Sequence, residues 1–399
     1  MILKHGTIVD GDFNLRQCDL RIADGIITEI GENLTCTCTS VEAPANKHDG
    51  TTTPGTTAHE EIIDMTGKFI LPGFIDTHMH GAVGHKLSDP NPDLEAITRF
   101  EATEGVTSIA IATVCSDFKH ILRQIYLAAA AAKNVTGAKI AGIHAEGPFI
   151  SPKKKGAMDP NYIIPPDIGQ LDQMIEHSCG LLKLITLAPE AEGALDIIRH
   201  AVSCGIVVSM GHSDATYQET VAAIEAGASQ TTHTFNAMRA YSHREPGILG
   251  AVLTNPKVQC EMICDHTHLH PATIKMIYSL KGADNINIIS DSEHGAGMKE
   301  KEILVDGEIR YIEDGVMKMA DGTIAGSAST MLDGVKNLIA DGIPLTDIAK
   351  MASYNPARTL GIDQQTGSIT VGKAADLAIL DETYHLFATY VDGQCVYIR

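Results

Sequence analysis

The 399-residue chain is long enough to bury one large core and a smaller module beside it. Its formal net charge of −20 opposes a nucleic-acid or anionic-membrane partner, because phosphate groups repel an acidic surface, yet permits a small anionic substrate held by a local cluster of donors. No run of about 18 uncharged apolar residues offers a membrane span. The N-terminus lacks the pattern of a secretory signal, and the nine cysteines are scattered without a C-x-x-C pair, so a reducing cytoplasm is expected.

In chain order, the first elements are short strands at Leu3–Val9, Leu20–Ile22 and Ile26–Ile30, separated by Asp10-Gly11 and Asp24-Gly25, a strong hairpin signal. Residues 34–60 follow as a Thr-rich insertion poor in aliphatics, which reads as a surface loop. Its His48 and His59, beside Cys36 and Cys38, read as solvated rather than as a metal site. The middle of the chain alternates apolar runs with stretches of helical period. The runs are Phe69–Ile75, Thr107–Val114, Lys139–Ile143, Leu182–Leu187, Ile206–Met210, Gln230–Thr234, Val258–Cys264 and Ile286–Ser290. Helical stretches include Leu94–Thr103, His120–Ala132, Ala191–Ser203, Thr216–Ala226 and Pro271–Leu280. Eight strands alternating with helices predict a parallel (β/α)8 TIM barrel. The C-terminus returns to strands at Asp376–Leu380, Tyr390-Val391 and Val396–Ile398. The expected organisation is a barrel over residues 68–365 and a small β-sandwich module built from residues 1–67 and 366–399.

Ligand-type residues fall at the ends of those runs. His78 and His80 follow the first, Glu146 the third, His212 the fifth, His233 the sixth and Asp291 the eighth. Parallel barrel strands all end on one face, so residues far apart in sequence converge there. Residues two apart on a strand share a side, which lets His78 and His80 both face the axis. Imidazoles and carboxylates are the ligand set of a catalytic zinc or similar divalent ion that keeps a position open for water. Such an ion lowers the pKa of bound water towards about 7 and polarises a carbonyl. Asp291 is the candidate general base, able to take the proton of the attacking water and return it to a leaving nitrogen; a purely ligating role is the alternative.

Several segments carry a family resemblance: Leu71-Pro72-Gly73-Phe74-Ile75-Asp76-Thr77-His78-Met79-His80-Gly81, His144-Ala145-Glu146-Gly147-Pro148-Phe149, Gly211-His212-Ser213 and His233-Thr234-Phe235-Asn236-Ala237-Met238. Arg244-Glu245-Pro246-Gly247, Asp265-His266-Thr267-His268, Ala325-Gly326-Ser327 and Asn355-Pro356-Ala357 extend it. The chain resembles the amidohydrolase superfamily, and within it the N-acetylglucosamine-6-phosphate deacetylases. Many dinuclear relatives use a carbamylated lysine at the end of strand four; here that strand ends Leu187-Ala188-Pro189-Glu190, and Glu146 on strand three looks like the deacetylase solution.

The resemblance implies hydrolysis of the acetamide of N-acetylglucosamine 6-phosphate with one or two divalent metals per subunit, zinc first and iron, manganese or cobalt as the other candidates. It implies that Asn236 and the backbone of Ala237 bind the phosphate, that Arg244 adds a contact from the partner subunit of a homodimer, and that His268, Ala157, Ile324, Ala325 and Gly326 line the sugar. The galacto epimer, another N-acyl or cyclic amide, and a non-catalytic sugar-phosphate binding protein are the alternatives. Pro152–Gly156 reads either as a basic rim steering an anion or as a solvated loop. The chain departs from the family pattern at Met158, where some members carry a histidine, at His266, and at Ser292-Glu293-His294; the last two bear on sugar selectivity.

Overall fold

The computed structural model describes residues 1–36, 60–305 and 307–399. Most of the Thr-rich insertion, with Cys38, His48 and His59, lies outside the described residues.

Eight parallel strands form the central barrel: Phe74–Met79, Val106–Thr113, Lys139–Glu146, Leu182–Leu187, Val207–Met210, Gln230–Thr231, Gln259–Ile263 and Ile286–Ile289, each paired with its sequence neighbour. The ring closes where the Asp291 amide donates to the His78 carbonyl at 2.9 Å. Side chains on the strands are apolar outward, where they meet the helices, and this packing forms the main hydrophobic core. The helices start where the sequence supplies caps. Asp93 accepts from the Ala96 amide and Asp167 from the Gln170 amide, while Thr216 with Glu219 and Thr330 with Asp333 form reciprocal capping boxes.

Both termini join one mixed sheet. Its order runs Gln394–Ile398, Leu386–Val391, Leu377–Leu380, Phe69–Pro72, Ile2–Val9, Leu15–Ala23 and Ile26–Gly31, with Ile62–Asp64 also paired to Ile2–Val9. Its own core includes Leu3, Ile8, Leu20, Ile70, Leu377, Ile379 and Tyr390. Lys139 on the barrel ties the two parts together, reaching Asp376 at 2.8 Å and Asp392 at 2.8 Å.

Two features differ from the sequence reading. The run Phe69–Ile75 is not one barrel strand. Phe69–Pro72 belongs to the terminal sheet, and the barrel begins after Gly73 at Phe74. The break is physical: a Cβ at Gly73 would lie 2.2 Å from Thr107 Cγ2, so only glycine passes there. The second difference is a four-stranded antiparallel sheet, Glu302–Val305, Glu308–Glu313, Val316–Lys318 and Ile324–Ser327, inserted after the eighth barrel strand.

Candidate functional site

The first barrel strand extends through His78, and His80 follows one residue beyond its end. Glu146 closes the third strand. His212, His233 and Asp291 each lie just past a strand with φ of 45°, 30° and 50°, so the chain turns sharply at the point where each side chain must be aimed inward. All six are buried.

They converge as expected. Glu146 Oε1 lies 3.1 Å from His212 Nε2, 3.1 Å from His233 Nε2 and 3.5 Å from His78 Nε2, and its Oε2 is 3.4 Å from His80 Nε2. Asp291 Oδ1 is 3.5 Å from His78 Nε2 and 3.4 Å from His80 Nε2. Among the described residues three three-residue groups emerge, each with its ligand atoms within 4.8 Å of one another: His78, His80 and Asp291; Glu146, His212 and His233; and, deeper in the barrel, His78, His144 and Glu261.

The donor set fits a divalent cation on three counts. First, His212 Nδ1 lies 2.8 Å from the Lys154 carbonyl, which can only accept, so the ring proton is on Nδ1 and Nε2 presents its lone pair. His78 is held the same way by Glu261 Oε2 at 3.2 Å. Second, His78 Nε2 is buried without a hydrogen-bond partner, and His212 Nε2 faces His233 Nε2 at 3.0 Å, an arrangement a shared cation resolves. Third, burial alone lowers the pKa of a histidine, yet hydrogen bonds to Asp291 and Glu146 outweigh it at His80 and lift it to about 10. Burial would raise Asp291, but the charge of His78 and the hydrogen bond of His80 bring it to about 2. So strong a pull on protons is also a pull on a metal ion, which would displace them.

Beneath the ligands lies a set of residues the sequence reading did not single out. Glu261, fully buried, holds His78, accepts from the His233 amide at 3.2 Å and accepts from Gln230 Nε2 at 2.6 Å. His144 touches the Thr77 carbonyl at 3.1 Å and Thr186 Oγ1 at 2.7 Å. Burial, helped by repulsion from His78, lowers it to about 4, which keeps it neutral. The signal for both was present. Glu261 is a charged residue inside an apolar run, and His144 stands two before Glu146, on the same face of its strand.

A cavity of about 890 Å³ opens above this centre. His80, Glu146, His212, His233 and Asp291 form its floor, and Ala157, Asn236, Ala237, His268, Ile324, Ala325 and Gly326 line its walls. Asp265 accepts from His268 Nδ1 at 2.6 Å, which leaves Nε2 as the ring's remaining polar atom. Lys153, Lys154 and Met158 also reach the cavity. Arg244 does not: it is exposed and off the cavity of its own chain. Nor does His266, which pairs with Asp341 at 2.9 Å.

The amidohydrolase family model matches residues 69–396. The chain belongs to the amidohydrolase family. This amidohydrolase, a hydrolase of amide bonds, is 35% identical over 345 residues to the N-acetylglucosamine-6-phosphate deacetylase of Bacillus subtilis (strain 168), covering 85% of this chain and 87% of that one. It is 35% identical over 336 residues to the N-acetylgalactosamine-6-phosphate deacetylase of Escherichia coli O157:H7, covering 84% and 89%. Its fold matches the crystal structure of N-acetylglucosamine-6-phosphate deacetylase from Thermotoga maritima with a TM-score of 0.85 at 30% identity, over 100% of both chains. A mutant Mycobacterium smegmatis deacetylase in complex with N-acetyl-D-glucosamine-6-phosphate matches with a TM-score of 0.86 at 31% identity, over 99% of both. Among the described residues, no helix of the amidohydrolase is long and apolar enough to cross a membrane.

Proposed function

We propose that this amidohydrolase cleaves the acetamide of N-acetyl-D-glucosamine 6-phosphate, releasing acetate and D-glucosamine 6-phosphate for amino-sugar catabolism in the cytoplasm. The observation that carries the reading is a single cavity that joins the Glu146–histidine–Asp291 floor to a wall containing Asn236, Ala237 and His268.

His78, His80 and Asp291 would hold one divalent ion, and Glu146, His212 and His233 another, with zinc the first candidate and iron, manganese or cobalt the others. Bound there, a metal polarises the acetyl carbonyl and acidifies the attacking water. Asp291 is ionised at neutral pH and stands at the floor of the cavity. It takes the proton of the attacking water as the new C–O bond forms, and gives it to the nitrogen as the C–N bond breaks. Asn236 and the Ala237 amide, on the turn that follows His233, hold the phosphate, and His268 Nε2 contacts the sugar. Arg244, exposed beside Tyr241, serves the cavity of a second subunit in a homodimer.

The test is acetate release from N-acetylglucosamine 6-phosphate, its galacto epimer and unphosphorylated N-acetylglucosamine, with and without added zinc. The reading expects metal-dependent turnover of a phosphorylated sugar, with the gluco epimer preferred. Preference for the galacto epimer, the sugar named for the Escherichia coli relative at the same 35% identity, would reassign the sugar. Turnover of none of the three would remove the sugar-phosphate assignment.

A further inference from the structure

Two residues in the cavity wall have no task in this chemistry. Glu293 and His294 both line the cavity, and His294 Nδ1 lies 3.0 Å from Glu293 Oε2. His294 is 7% exposed, and its Nε2 is buried without a hydrogen-bond partner. It belongs to none of the metal-binding groups found among the described residues.

The backbone holds this pair in place from both sides. The His80 amide donates to the Ser292 carbonyl at 2.7 Å and the Gly84 amide to the His294 carbonyl at 2.7 Å, while the Glu293 amide donates to the Ser327 carbonyl at 2.8 Å. Gly326 leaves the room Glu293 occupies: a Cβ there would come within 2.5 Å of Glu293 Cγ. The pair is therefore fixed between the loop that follows His80 and the last strand of the inserted sheet.

The chemistry of the pair selects its ligand. An ionised carboxylate only accepts, so the ring proton sits on Nδ1, facing Glu293. Nε2 then carries the lone pair and needs an O–H or N–H donor from whatever fills the cavity. It cannot polarise an acetyl carbonyl, which offers no proton. A pyranose offers hydroxyls. We propose that His294 Nε2 accepts a hydrogen bond from a ring hydroxyl of the substrate and so helps to decide which hexosamine epimer is hydrolysed. This rests on the sugar-phosphate reading above. A buried acceptor left unpaired penalises a ligand that lacks the matching hydroxyl, and this is how such sites discriminate.

The experiment compares wild type, His294→Phe and His294→Gln on the preferred 6-phosphosugar, its C4 epimer, and the 3-deoxy and 4-deoxy analogues. Wild type is expected to lose about 10- to 100-fold in kcat/KM on one deoxy analogue, mainly through KM. His294→Phe should lose a similar factor on the full sugar but little further on that analogue, with melting temperature and metal content unchanged. His294→Gln, which keeps an acceptor, should restore part of the preference. Equal losses on every sugar, or none on any, would overturn the assignment while the deacetylase reading stands. If the Phe variant does not fold, the wild-type deoxy series decides alone: indifference to both deoxy sugars overturns it. Failure of wild type to hydrolyse any phosphorylated sugar would instead bring down the substrate reading, and this inference with it.

Discussion

Glu146 has an imidazole nitrogen of four different histidines within 3.5 Å, and nothing else in the described chain gathers so much ligating capacity around one carboxylate. The residues at strand ends were legible in the sequence because barrel topology turns a strand terminus into an address. His78, His80, Glu146, His212, His233 and Asp291 needed only eight correct runs to be placed together. The residues that support them were legible only in part. Glu261 and His144 lie within strands, where one sequence shows an interruption but not the partner that satisfies it. Because Glu261 orients both His78 and His233, Glu261→Gln is expected to weaken metal binding about 10- to 100-fold, measured by competition with a chromogenic chelator. Unchanged affinity would mean that the histidines are held without it.

At the scale of elements, the alternation of strand and helix was readable because buried parallel strands form continuous apolar runs. The inserted sheet was not. Ile303 and Met317 pack a small core with Ile312, but Leu304 is 74% exposed and Ile309 48%, so apolar residues lie on both faces and the strands lack a clean alternation. The junction at Gly73 was also hidden, since the runs on either side are apolar and only the pairing separates them. Gly73→Ala would drive a methyl into Thr107, and a loss of about 1–3 kcal/mol of stability is expected, read from denaturant unfolding. A neutral result would mean that Thr107 moves aside freely.

For the whole molecule, the metal centre links stability to pH. In the metal-free protein His80 titrates at about 10, above its unfolded value near 6.5. The folded state then binds more protons than the unfolded state between those limits. The stabilising contribution is therefore present below about pH 6.5 and lost as pH rises towards 10. Metal binding displaces those protons, so affinity should rise from pH 6 to pH 8, and calorimetry in buffers of different ionisation enthalpy should report proton release. Metal should also stabilise the fold by about 2.7 kcal/mol at a hundredfold excess over Kd, seen as a higher melting temperature. Proton-neutral, pH-independent binding would contradict the charge state assigned to the site.

In the proposed reaction these residues hold a metal and Asp291 moves the proton in amide cleavage. Asp291→Asn separates the two roles when metal content and acetate release are measured on the same preparation. Metal should be retained through Glu146, His212 and His233, while kcat falls by about 10²- to 10⁴-fold. A variant that keeps its metal and its full rate of acetate release would contradict the proposed reaction.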